Sequence, residues 1–123
     1  MDLIKEHKAF LEELVRRTPS AGASNVRSTG RFSPAKGREP LNDLVQRLNA
    51  QDRDLLAQML EQERQNGIFD VLSYLAEQCD TQGGLRLTVD GQEIPHEPFG
   101  YTLFEEYITL LNDERGWAAM EES

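Results

Sequence analysis

Leu3, Ile4, Phe10, Leu11, Leu14 and Val15 recur three and four residues apart, with His7 as a half-polar member of the same row. This spacing predicts one amphipathic helix over about residues 2–17, ended by Thr18-Pro19. Leu41, Leu44, Val45 and Leu48 predict a short second helix, and Leu55, Leu56, Met59 and Leu60 a third, with Asn49 to Asp52 offering capping side chains between them. Gly67 is expected to stop the third helix. A fourth then aligns Ile68, Phe69, Leu72, Leu75, Ala76 and Cys79 on one face and breaks at Gly83-Gly84.

The period then changes from 3.6 to 2. Leu85, Leu87 and Val89 alternate with Arg86 and Thr88, and Asp90-Gly91 suits a two-residue hairpin turn in which both central residues need positive φ. Strands over about 85–89 and 92–95 follow, the second closed by Pro95 and Pro98, neither of which can donate to a ladder. Thr102 and Glu105 form a capping box ahead of a last helix that turns Phe104, Tyr107, Ile108 and Leu111 inward, and Gly116 marks its exit. An isolated hairpin is marginal in water, so Leu85, Leu87, Val89 and Ile94 are expected to pack on helices. The fold class is α+β, mostly α: about five helices packed with one small antiparallel β-hairpin.

Between the first two helices lies SAGASNVRSTGRFSPAKGREP, Ser20 to Pro40, rich in Ser, Gly, Ala and Pro, with Val26 and Phe32 as its sizeable apolar groups. This composition and length predict a flexible loop over 18–40, separating an N-terminal helix (1–17) from an acidic helical body (41–123) that holds the hairpin at 85–95. Charge changes the picture here. From Arg16 to Arg38 there are six basic residues and no acidic one, whereas residues 41–123 hold five basic and seventeen acidic residues.

At 123 residues and 38% hydrophobic, the chain fits one globular domain. Its net charge of −9 repels phosphate at long range, which disfavours nucleic acid and anionic membrane except through the basic loop. No apolar run is long enough to span a bilayer, the charged N-terminus lacks the apolar stretch of a signal peptide, and Cys79 is the single cysteine. These features predict a cytoplasmic protein without an intramolecular disulfide.

Gly84-Leu85-Arg86-Leu87, Asp90-Gly91 and Glu97-Pro98-Phe99-Gly100 are the specific part of a run from Gly67 to Ile108 that resembles a family of small bacterial proteins, a domain of unknown function. The resemblance implies a bacterial cytosolic source and brings no activity, ligand or catalytic residue. The basic loop and the residues after Leu111 depart from its pattern.

Candidate chemistry is sparse. Two histidines and one cysteine are too few for the usual Cys/His zinc sites unless carboxylates complete the set, and neither nucleotide-binding glycine fingerprint is present, so no metal and no cofactor is expected. His96 and Glu97, where a strand hands over to a helix, are the best-placed acid/base pair and, with Phe99 and Tyr101, a candidate pocket, against the alternative of an exposed turn histidine. Cys79 on an apolar face reads as a small buried hydrophobe. Trp117 either packs back on the hairpin or awaits a partner.

Arg27, Arg31, Lys36 and Arg38, with Phe32 between them, form a candidate binding arm, for which an acidic protein partner ranks ahead of contact with the chain's own acids and ahead of nucleic acid. The leading expectation is a non-catalytic protein-interaction module of accessory, inhibitor or immunity type. The alternatives are a regulator that touches nucleic acid or phosphate through the 16–38 arm and a small enzyme using His96 and Glu97. The apolar face of the first helix, tied to the body by a flexible linker, further predicts a homodimer with that helix in its interface.

Overall fold

A computed structural model describes residues 1–80 and 84–121. The fold is α+β and mostly helical. Its elements run α1 (Leu3–Arg16), α2 (Ala21–Thr29), α3 (Glu39–Arg47), α4 (Ala50–Asp80), β1 (Thr88–Val89), β2 (Gln92–Glu93), α5 (Leu103–Asn112) and a final turn, α6 (Ala118–Glu121). The chain divides into two compact units rather than one: Met1–Arg17 with Gly67–Ser123, and Thr18–Asn66. Helix α4 supplies residues to both.

In the first unit, Asp2 caps α1 by accepting from the amides of Ile4 and Lys5, both at 3.1 Å. Leu11 of α1, Leu72 of α4, and Leu103 and Tyr107 of α5 form the buried centre, with Phe10, Leu14, Val15, Ile68, Leu75 and Leu87 packed around it. Helix α1 thus sends Leu11 into this centre with Phe10, Leu14 and Val15 half-buried against it, while Ile4 stays exposed, so part of the face from which a homodimer was expected is covered by its own chain. The capping box of α5 is present, Thr102 accepting from the Glu105 amide while the Glu105 carboxylate accepts from the Thr102 amide.

The hairpin is shorter than its alternation suggests. Thr88 pairs with Glu93 and Val89 with Gln92 around Asp90 (φ 49°) and Gly91 (φ 79°), and one further bond joins the Ile94 amide to the Leu87 carbonyl at 2.8 Å. Pro95, with no N–H, stops the ladder there. Ile94 is buried, whereas Leu85 is exposed and contributes little to the packing.

The second unit differs most from the sequence expectation. The segment expected as a flexible loop contains α2, capped by Ser20, whose hydroxyl accepts from the Ala23 amide at 3.1 Å, and ended at Gly30 (φ 68°). Its small residues allow close packing: Ala23 and Val26 are fully buried against Val45 and Ala57, and a Cβ on Gly22 would lie 2.8 Å from the Phe32 ring. Tertiary contact thus supplies what a weak apolar stripe cannot. Buried Asn42 anchors the chain after α2, its Oδ1 accepting from the amides of Phe32 (2.8 Å) and Ser33 (3.1 Å) and its Nδ2 donating to the Ser33 carbonyl (2.7 Å).

The third and fourth expected helices are one. Helix α4 passes through Gly67, where a Cβ would meet open space, so the glycine costs propensity without altering the path. Of the expected break at Gly83-Gly84, Gly83 lies outside the described residues, and Gly84 has a φ of 82°.

Candidate functional site

Two places gather the residues singled out in the sequence, one in each unit. In the second unit, Phe32, Leu41, Leu44 and Val45 face Leu56 and Leu60 of α4 across a groove of about 170 Å³. Its walls are almost wholly apolar, and Leu41 and Leu44 are exposed at 40% and 45%, with Leu55 and Met59 also exposed on α4. Helix α3 turns Val45 and Asn42 into the core and leaves this leucine pair outside.

The basic arm is split by the fold. Arg27 donates to Asp54 (2.9 Å) and Glu61 (2.7 Å) of α4, which raises its pKa, while the bond from Arg27, ahead of one from Gln58, lowers that of Asp54. Arg27 is therefore committed within the chain rather than extended on an arm. Arg31, Lys36 and Arg38 are exposed, and among the described residues no ion pair reaches them. Arg31 lies next to Phe32 in the chain, and Lys36 and Arg38 lead into α3, so these three cations border the segments that build the groove. Phe32 is half-buried and forms part of its wall.

In the first unit, the expected pocket residues separate into two groups. His96 and Glu97 line a cavity of about 30 Å³ together with His7, Cys79, Arg86 and Glu93. That exceeds the roughly 10–15 Å³ of such space a water molecule needs. His96 Nε2 lies 3.2 Å from Asp80 Oδ1 and 3.5 Å from Glu97 Oε1, and Glu97 holds a left-handed backbone (φ 48°). Phe99 instead faces Trp117 (5.7 Å between ring centres) and His7 (6.3 Å), and Lys8 sits over both the Phe99 and Trp117 rings. Tyr101 is half-buried and lines neither place. Trp117 packs on Phe99 and His7 and donates to Glu12 at 2.9 Å, so its ring is already partnered. Cys79 is half-buried at the cavity wall, more accessible than a core position would make it.

The feature least expected is a buried pair. His7 Nε2 lies 3.0 and 3.1 Å from the two carboxylate oxygens of Glu106, and both residues are almost wholly buried. Glu106 lies three residues after Leu103 and four before Leu110, so an α5 register turned inward through Leu103, Glu106 and Tyr107 would have exposed it to sequence reasoning. The stripe through Phe104, Ile108 and Leu111 is instead half-buried.

Charge follows the division of the chain. The first unit holds sixteen acidic and six basic residues, the second six acidic and seven basic. Among the described residues no helix is long and apolar enough to cross a membrane.

The fold is a helical one with a single short hairpin, and comparison with known families places the chain in a family. Residues 2–117 match the "Family of unknown function (DUF6547)", and the chain belongs to that family. The match takes in the 18–40 segment and residues 112–117, which depart from the pattern of the sequence resemblance. No curated protein and no solved structure matches the chain.

Proposed function

We propose that this chain is a non-catalytic protein-interaction module that holds an amphipathic helix of a partner protein in the groove between Phe32, α3 and α4. The observation that carries this reading is the row of solvent-facing leucines around an almost wholly apolar groove. Contiguous exposed apolar surface is costly in water and marks contact surfaces, and a groove of this kind accepts a helix through side chains spaced three and four residues apart. Arg31, Lys36 and Arg38 favour a partner whose apolar stripe is flanked by Asp and Glu, since complementary charge speeds encounter and rejects the opposite sign. The cavity at His96, about 30 Å³ against about 170 Å³ for the groove, is the smaller seat, and we rank the enzyme reading behind this one. A bacterial cytosol, implied by the sequence resemblance, is the setting we propose for it, and an unpaired thiol suits that compartment.

Two labelled helical peptides with one leucine stripe, flanked by Glu in the first and by Lys in the second, test the proposal. The Glu-flanked peptide should bind at least about ten-fold tighter at low salt, and added salt should narrow the difference. Equal binding, or preference for the Lys-flanked peptide, would contradict it. Binding of a phosphate-rich oligonucleotide in place of either peptide would favour the nucleic-acid alternative.

A further inference from the structure

The histidine cavity joins residues that are far apart in the chain. Asp80 ends α4, and His96 and Glu97 follow the hairpin, yet one imidazole nitrogen and two carboxylate oxygens from these residues lie within 4.8 Å of one another. We propose that Asp80, His96 and Glu97 bind a divalent transition metal of the zinc type.

Zinc–nitrogen and zinc–oxygen bonds of about 2.0–2.2 Å put neighbouring tetrahedral ligands about 3.4 Å apart. The separations from His96 Nε2, 3.2 Å to Asp80 and 3.5 Å to Glu97, straddle that edge, and the two carboxylate oxygens lie within 4.8 Å of each other. The imidazole selects zinc-type ions over magnesium and calcium, which favour all-oxygen shells. Three protein ligands leave a fourth position open, and the adjoining cavity, which His96 and Glu97 also line, has room for a water.

A second histidine lines the same cavity. His7 is almost wholly buried there, and its Nε2 is taken by Glu106. Carboxylates thus complete the ligand set that two histidines and one cysteine could not.

Calorimetric titration of the full chain with zinc chloride tests this, with magnesium and calcium chloride as comparisons. One zinc per chain is expected, with no saturable binding of the other two ions. His96→Ala and Asp80→Asn should each weaken zinc binding by at least about 100-fold, since even residues outside the ligand shell cost 10–100-fold. Both positions are exposed, so circular dichroism of each variant should match the parent. Cobalt in place of zinc should give the intense visible bands of four-coordination, lost in both variants. No saturable zinc binding overturns the proposal. So does zinc binding that survives both substitutions, or that disappears only with His7→Phe or Cys79→Ser.

Discussion

At the scale of single residues, His7 and Glu106 show how a polar pair can sit at the centre of an apolar contact. Each satisfies the other, and removing one partner leaves a buried polar group without compensation. Glu106→Ala should therefore cost about 3 kcal/mol in urea unfolding, and the double change His7→Phe with Glu106→Leu should recover part of it. A loss under about 1 kcal/mol for the single change would contradict the buried pairing. The sequence placed His7 in the inward row of α1 but not Glu106, because pattern analysis assigns inward positions by apolarity and a glutamate beside the buried Leu103 and Tyr107 of α5 does not register. A surface residue gives the clearer acid response. Hydrogen bonds from Arg16 and then Arg17 hold the Glu13 carboxyl at about 2, below its ordinary 4.5. The depressed value means that the contribution to stability is complete above pH 4.5 and fades as the pH falls from there towards 2. A carbon-detected NMR titration should find the Glu13 midpoint near 2, and Arg16→Ala with Arg17→Ala should raise it towards 4.5. A parent midpoint already at 4.5 would remove both bonds from the account.

At the scale of elements, the legible parts were those whose signals are local. The α1 stripe, the Asp90-Gly91 turn and the Thr102–Glu105 capping box need only neighbours in the chain, and all three are present. Helix α2 needs Val45 and Ala57, more than fifteen residues away, to cover Ala23 and Val26, so Ser, Gly and Ala richness read as a loop. The expected and observed numbers of long helices agree only because α2 was missed while α4 was divided in two. Gly67 was given the weight of a helix stop, yet a single glycine costs a helix only about 1 kcal/mol, which residues packed on both sides of it outweigh. Gly67→Ala should accordingly stabilise the chain by up to about 1 kcal/mol and raise the midpoint of thermal unfolding. A destabilised variant would show that the backbone at this position needs glycine. Gly30 is the opposite case, because its positive φ and the Arg53 guanidinium 2.9 Å from a built Cβ both resist a side chain.

At the scale of the whole molecule, the charge contrast noticed between the basic 16–38 stretch and the acidic remainder is real but differently divided. It follows the two units, one strongly acidic and one near balance, and the most basic stretch of the sequence spends Arg27 on the acids of α4. The second unit leaves exposed charges of both signs, Arg31, Lys36, Arg38 and Arg47 among them, together with an apolar groove, and the proposed function rests there. The sequence supplied Phe32, Arg31, Lys36 and Arg38 but not the groove, since Leu41, Leu44, Leu56 and Leu60 carry the same periodicity whether a helix face is covered or open. Methyl chemical-shift mapping of the full chain with the Glu-flanked peptide tests the claim most directly. The account predicts shifts concentrated on Leu41, Leu44, Val45, Leu56 and Leu60 and abolished by Leu44→Glu. Shifts concentrated instead on Val71, Leu75 or Leu87 of the acidic unit, or unchanged by Leu44→Glu, would contradict it.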